Sequence, residues 1–476
     1  MSFVKRICAV VLAVCLLIPL HTGAVNVSDY MPDRHRKYLE EIIDAVVNYE
    51  LSYTFEERIS SASLEAIMSR VYNDYPEIFH LSNTYSTTFP MGQDDIIISV
   101  RFNYKMTKSE YTAVKAELEQ WADHIVSLAD PSFTEYEYAL FLHDYLAATY
   151  EYDTTYPIYD IYNFIKKGRG VCQAYTYAYA YLLDRVGIEN SYATSDEMNH
   201  IWNTVKLDGE WYHVDVTWDD PIGGALGKAS HGAFMYSDEG IFSKDDPHYA
   251  WKSPYACLSD KYETSPVMDA ASSYAFVNGS WYYLLKRDGK VCLYATDDPL
   301  KEGDVVAETE GMSWKHRENS SVYVSVHSGF YEHGGYLYFN TPSSVMRYDT
   351  VSGKTEIVFT YVGNDGYIYG VSPYLGGDIS PKDGMACIRI GTAPSKPLRT
   401  ILIYTDGSGM DGVDGSGDAD CDGSVTLSDV TAALRYIAGW NVYIAKNGAD
   451  INADGMVGLE DVTAMMKIIA GWQNIL

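Results

Sequence analysis

Basic charge is scarce in this chain: Lys and Arg number 35 against 65 Asp and Glu, a formal net charge of -30 over 476 residues. So large an acidic excess argues against nucleic acid and anionic membrane surfaces as partners, because both need positive charge. It favours solubility and, where acids cluster, a divalent cation. Cysteine is also scarce, at seven residues that are widely spaced. An odd, scattered set of this kind is not a disulfide framework. Long apolar runs are missing apart from Ile7–Leu20. That run is short for a membrane span, follows Lys5 and Arg6, and precedes the small-residue site Thr22-Gly23-Ala24. Residues 1–24 therefore read as a signal peptide of a secreted, extracellular protein, with no membrane span left after cleavage. Cleavage removes Cys8 and Cys15 and leaves Cys172, Cys257, Cys292, Cys387 and Cys421.

Apolar residues make up 47% of the chain, ordinary for globular protein, and the length accommodates several domains. The most informative stretch is Gly168–Pro221. Cys172 follows a Gly-rich turn and opens a segment that ends at Gly187, a natural helix stop. Tyr175, Tyr177, Tyr179 and Tyr181 alternate at a strand period, but Ala174, Ala178 and Ala180 are good helix formers and the run is long, so a helix is expected. A thiol at a helix N-terminus feels the positive end of the dipole, which favours thiolate.

His200–Leu207 and Glu210–Thr217 are strand-like runs joined by Asp208-Gly209, a strong two-residue hairpin signal. In that register His200, Trp202, Asp215 and Thr217 share one face, with His200 diagonal to Asp215. A bulge would shift this alignment. A cysteine nucleophile needs a base, and the base needs an acceptor to orient it. Cys172, His200 and Asp215 fit those roles, with the Cys172 N–H as one oxyanion donor and Gln173 or Trp202 as candidates for a second. His213 lies on the same face as a rival base.

The pattern GVCQAY, HIWN and WYHVDVTWDDP resembles the transglutaminase-like superfamily, the papain-related thiol enzymes of bacteria. The resemblance implies an α+β core over 131–256, with Cys on a helix packed against an antiparallel sheet that carries His and Asp. It also implies acyl chemistry on amide bonds through a thioester. Water as acceptor gives a peptidase or amidase; an amine gives a cross-linker.

Residues 25–130 read as a mixed α/β region, with helices over Arg34–Leu51, Ser61–Tyr75 and Ser109–Ala129 and a strand over Asp95–Tyr104. Phe133–Tyr152 reads as the first helix of the core, where His143 and Asp144 belong to a packed face rather than to catalysis. From 265 to 405, short strand-like runs alternate with Gly, Asn and Asp turns, which predicts an all-β domain of propeller-like or sandwich type, acting as a spacer or a binding module. Residues 406–416 read as a flexible linker by composition.

The C-terminal part repeats one pattern twice. Asp418, Asp420, Asp422 and Asp429 occupy loop positions 1, 3, 5 and 12 with Gly423 at 6; Asp450, Asn452, Asp454 and Asp461 repeat this with Gly455. Such spacing converges short oxygen side chains on one Ca2+, with the carbonyls of Ser424 and Met456 as further ligands, which gives two sites. Each loop runs into a near-identical helix, DVTAALRYIAGW or DVTAMMKIIAGW. Residues 417–476 resemble a type I dockerin, the small all-α calcium-binding module that plugs enzymes into cohesin modules of a cellulosome scaffoldin. The resemblance puts Leu427, Ser428, Arg435, Leu459, Glu460 and Lys467 at cohesin-reading positions.

The expectation is a secreted multidomain protein: a transglutaminase-like thiol enzyme acting on protein or peptide amides, hydrolysis ahead of cross-linking, docked on a cohesin scaffold. The alternative is a non-catalytic binding or assembly protein that keeps the fold.

Overall fold

The computed structural model describes residues 33–472 apart from 76–77, 94, 154, 156, 221–223, 310, 316–321, 324–326, 362–365, 374–383, 394–395, 407–409, 413, 422–423 and 441. The expected signal peptide, Pro221 and Asp422 lie outside the described residues.

The N-terminal region comprises α1 (Asp33–Val47), β1 (Ser52–Ser60), α2 (Ser61–Asp74), β2 (Leu81–Thr88) and β3 (Ile96–Tyr104). Its sheet has the order β1-β3-β2, and Ile42, Val46, Ile67, Val71 and Val100 form a small core of its own. Next, α3 (Lys108–Leu128) starts at a capping box between Thr107 and Glu110. Its inner face, Leu118, Trp121, Ala122 and Ile125, joins the central core, so packing carries that core upstream of residue 131.

The central unit continues with α4 (Glu135–Thr149), β4 (Glu151–Tyr152), α5 (Ile161–Lys167), β5 (Arg169–Gly170) and α6 (Cys172–Arg185). A four-stranded antiparallel sheet follows: β6 (Asn190–Ser195), β7 (His200–Leu207), β8 (Glu210–Val214) and β9 (Phe234–Tyr236), then the short α7 (Asp238–Phe242). Helix α6 lies between α4 and β7. The alternating tyrosines split onto its faces at helical spacing. Tyr179 Oη donates to Ala139 O of α4 at 2.9 Å, whereas Tyr177 Oη donates to Tyr72 O of the N-terminal region at 3.3 Å. Asp208 and Gly209 both have positive φ, as a type I′ turn requires, and Leu207 pairs with Glu210 as expected.

The all-β part is built from three four-stranded antiparallel meanders. They are β10 (Ala275–Val277), β11 (Ser280–Arg287), β12 (Lys290–Thr296) and β13 (Asp304–Thr309); β16 (Phe330–His333), β17 (Tyr336–Asn340), β18 (Ser344–Asp349) and β19 (Lys354–Thr360); and β20 (Tyr367–Pro373), β21 (Met385–Ala393), β22 (Lys396–Tyr404) and β23 (Met410–Asp411). A two-stranded pair, β14 (Trp314–Lys315) and β15 (Val322–Tyr323), lies between the first two in sequence. Among the described residues no sheet closes into a barrel. Tyr274, Trp281 and Tyr283 of the first meander pack into the central core. In return, the central loop at Leu226–Gly227 reaches into the β part. Leu226 N–H donates to Tyr369 O at 3.2 Å, and Phe330 N–H donates to Gly227 O at 2.8 Å.

The C-terminal helices are α8 (Leu427–Ile437), the short α9 (Lys446–Ala449) and α10 (Leu459–Ile469). Val430, Ala433, Val462 and Met465 form their common core. In the segment expected to be a flexible linker, 406–416, the described residues include β23, and the Gly412 and Gly415 N–H groups donate to Asn447 at 3.0 and 2.9 Å. Gly-rich composition signals freedom, but bare backbone also allows close pairing: a Cβ at Gly412 would sit 2.7 Å from Ala445 Cβ.

Gly370 has φ +107°, and a Cβ there would lie 2.2 Å from Leu226 N. Gly370→Ala should therefore cost on the order of 2–4 kcal/mol and lower the urea midpoint. Wild-type stability would show that the loop is not seated on β20.

Candidate active site

The Gly-rich turn before Cys172 is set by steric demand. Gly168 ends α5 in the left-handed region with φ 68°, and a Cβ on Gly170 would meet Phe164 at 2.8 Å and Ala174 at 2.9 Å. Val171 N–H donates to Ile158 O at 3.0 Å, and Cys172 is then the first residue of α6, free and half-buried. Its backbone N–H is one of the donors that a helix start leaves without an intrahelical partner.

His200 opens β7, and Asp215 follows the end of β8. His200 Nε2–H donates to Asp215 Oδ2 at 2.6 Å, and the Cys172 thiol is close enough to the imidazole to act on its pKa. The structure thus brings the three sequence-selected residues together through the histidine. Burial pulls the His200 pKa down, but the charge and hydrogen bond of Asp215, joined by Cys172, outweigh it and raise it to about 10. Burial pushes Asp215 up, yet His200 and His248 hold it well below the usual carboxylate range.

His248 is the residue that sequence reasoning missed. It is wholly buried, and its Nε2–H donates to the same Asp215 Oδ2 at 2.8 Å. Its ring packs on Trp218, with centroids 3.9 Å apart, and against Trp202. No local motif marks it, because it reaches the site from a loop 33 residues beyond Asp215.

The rival base His213 is committed elsewhere. Its Nδ1 accepts from Trp202 Nε1–H at 2.9 Å, and its Nε2–H donates to Asp238 at 2.8 Å. Burial outweighs Asp238 and lowers its pKa, so the ring is neutral. The same contacts spend the Trp202 donor, and Gln173 Nε2 donates to Tyr177 Oη at 3.2 Å. The Trp202 donor is therefore occupied, whereas the Gln173 amide has a second N–H beyond the one given to Tyr177.

His143 and Asp144 pack as expected, within a buried polar network. His143 places Nδ1 at 2.8 Å from Asp144 Oδ1 and Nε2 at 3.1 Å from Asp219 Oδ2. Two carboxylate partners require a proton on both nitrogens. Burial disfavours that charge, but the two acids prevail and raise the His143 pKa to about 9. His231 also donates to Asp144 Oδ1, at 2.9 Å. Elsewhere, a cavity of about 570 Å³ lies between α4 and the first two meanders, lined by residues such as Phe141, Tyr145, Phe276 and Phe330; Cys172, His200 and Asp215 do not line it.

In the C-terminal loops, Asp429 and Asp461 are fully buried. Asp429 Oδ1 accepts the Ala419 and Asp420 N–H groups at 2.8 and 3.1 Å; Asp461 Oδ1 accepts those of Ile451 and Asn452 at 2.9 and 3.1 Å. Carboxylate oxygens of Asp418, Asp420 and Asp429 lie within 4.8 Å of one another. In the second loop, Asp450 accepts the Asp454 and Gly455 N–H groups, and Asp454 accepts that of Met456. Leu427, Ser428 and Glu460 lie in the first turns of α8 and α10, and Leu427 and Leu459 are 62% and 61% exposed. Arg435 and Lys467 lie in the last turns.

Residues 119–216 match the family model of the transglutaminase-like superfamily. Among solved structures, a TGase is 13% identical with a TM-score of 0.21, over 35% of this chain and 50% of that one. A candidate cysteine protease from Cytophaga hutchinsonii is 9% identical with a TM-score of 0.18, over 35% of this chain and 67% of that one. The chain thus spans half the length of the first of these. No curated protein matches the chain. No described helix is long and apolar enough to cross a membrane.

The His143 network carries a pH signature. Its folded pKa, about 9, is raised above the ordinary histidine value. Its stabilisation is therefore complete below about pH 6.5 and lost as pH rises through about 9. Denaturant unfolding of wild type should lose stability across this window, by up to on the order of 3 kcal/mol more than His143→Gln. Parallel pH dependence in the two proteins would contradict the imidazolium assignment.

Proposed function

We propose that this protein is a thiol enzyme that cleaves peptide or glutamine-type amides through a thioester, with Cys172 as nucleophile, His200 as base and acid, and Asp215 orienting His200. The observation that carries this reading is the hydrogen bond from His200 to Asp215, with the imidazole close to Cys172 at the start of α6. The thiolate attacks the carbonyl carbon, and the imidazolium delivers its proton to the departing amine. Water then enters on the thioester, with His200 taking its proton, and the acid product leaves. Hydrolysis is favoured over amine transfer because the C-terminal module resembles those that place enzymes on degradative scaffolds.

The second half of the proposal is docking. Residues 417–476 are read as a calcium-dependent dockerin that binds a cohesin and holds a secreted enzyme on its scaffold. The donor set suits calcium: hard carboxylate oxygens converge in the first loop, and the acids repeat at the same spacing in the second. Bound calcium would supply charge neutralisation for these loops, with Asp418, Asp420 and Asp429 in one and Asp450, Asn452, Asp454 and Asp461 in the other as its holders.

Two experiments test the halves separately. Iodoacetamide alkylation of Cys172 against pH, read by mass spectrometry, should be fast in wild type and show an upper inflection near pH 10 from His200. His200→Ala should lose that inflection and slow at neutral pH; labelling indifferent to His200 would favour a binding protein that keeps the fold. The double variant Asp418→Ala with Asp450→Ala should lose calcium binding in titration calorimetry yet keep wild-type alkylation of Cys172. Unchanged calcium affinity would refute the docking reading.

A further inference from the structure

Orienting one histidine takes a single acceptor oxygen, yet Asp215 is surrounded by donors. Its Oδ1 accepts the Thr217 N–H and hydroxyl at 3.0 and 2.5 Å and the Trp218 N–H at 3.4 Å. Its Oδ2 accepts two imidazoles, His200 at 2.6 Å and His248 at 2.8 Å. These five donors meet the roughly four lone-pair sites of one carboxylate. We propose that His248 is a positioning residue for His200: by donating to the same Asp215 oxygen, it limits how firmly that carboxylate holds the imidazolium and keeps His200 able to release its proton. This rests on the reading of Cys172 and His200 as the catalytic pair.

The placement of His248 is built from several sides. The residue is wholly buried, with its ring 3.9 Å from that of Trp218, 4.6 Å from that of Trp202 and 5.8 Å from that of His200, centroid to centroid. Its backbone N–H donates to Ile241 O of α7 at 3.3 Å. The next residue, Tyr249, gives its carbonyl to Ser195 Oγ at 2.8 Å, and Ser195 is the residue that pairs with His200 between β6 and β7. Lys252 and Thr194 then exchange both backbone hydrogen bonds, at 2.8 and 3.0 Å. The loop that carries His248 is thus tied to the strand end beside His200. His248 Nδ1 is buried with no hydrogen-bond partner, so a proton there would be unsatisfied and the ring donates through Nε2 alone.

Hydrogen bonds to a carboxylate stabilise its charge and leave less of it for an imidazolium partner. His200 must both take and give a proton in one turnover, so a carboxylate that held the imidazolium too firmly would slow delivery to the leaving amine. The other titratable groups that act on this cluster are Cys172 of α6 on His200, His213 of β8 beside His248, and Tyr152 of β4 on Asp215. Substitution at 248 leaves all three in place.

The test is the pH profile of Cys172 alkylation by iodoacetamide in the full-length protein, whose upper inflection near pH 10 reports His200. His248→Phe keeps a ring against Trp218 but has no donor, and should raise that inflection by about one pH unit. His248→Leu, equally without a donor, should give the same rise and serves where Phe prevents folding. His248→Gln keeps an N–H donor and should hold the wild-type inflection. An inflection unmoved in the donor-free variants would overturn the role of His248. A downward move would overturn it too, by showing that His248 only keeps Asp215 within reach of His200. An equal rise in His248→Gln would assign the effect to ring packing instead of the N–H. Slow alkylation in wild type, indifferent to His200, would instead remove the catalytic pair, and this proposal with it.

Discussion

Three carboxyl groups on one short turn, the buried Asp215 and Asp219 and the half-buried Asp220, hold the centre of this molecule together. Each faces a different element. Asp215 Oδ2 takes His200 and His248, while its Oδ1 accepts the Thr217 N–H and hydroxyl at 3.0 and 2.5 Å. Asp219 accepts His143 of α4 and the Ala233 N–H before β9. Asp220 accepts the Tyr152 N–H and the Tyr175 hydroxyl of α6, the latter at 2.5 Å. Taking a carboxylate out of water costs several kcal/mol, and only multiple well-aligned donors offset that cost. The turn therefore tolerates little movement, and β4, α4, α6 and β7 are registered against one another through it. Asp220 differs in sign: burial, with few compensating charges, raises its pKa well above the usual carboxylate range.

Much of this geometry was legible. Asp208-Gly209 dictates a two-residue turn, and a two-residue turn dictates the register from Leu207–Glu210 back to Asn203–Val214. His200 and Asp215 lie just beyond that ladder, and the diagonal relation predicted for them is met by their hydrogen bond. The helix at Cys172 was legible because alanine content and Gly187 outweigh the tyrosine alternation. The superfamily resemblance covers residues 119–216, just where sequence pattern was strongest.

What was not legible came from distant chain or from strands without alternation. His248 joins the site by tertiary contact, and it has no neighbour that marks it. Strand β1 was missed because SYTFEERIS buries only Phe55 and Ile59 and changes register against β3 between Thr54 and Ile59. A bulged, half-exposed strand carries no period-two signal. Within 406–416 the pairing of Gly412 and Gly415 with Asn447 is likewise something that composition does not report.

The placement of the β meanders bears on what they are for. The third meander touches the central unit at two points that flank the same turn. Gly370 and Tyr369 of β20 receive the Leu226 backbone, a few residues after Asp220. Arg389 of β21 pairs with Glu151, next to Tyr152, and Arg389 Nη1 donates to Gly224 O at 3.5 Å. A detached spacer would need none of these contacts, and glycines at 227, 329 and 370 would be unnecessary without such close approach. The first meander adds Trp281, whose Nε1–H donates to Glu137 at 3.1 Å, beside the capping box that starts α4. The β part is therefore a brace on the site-bearing elements.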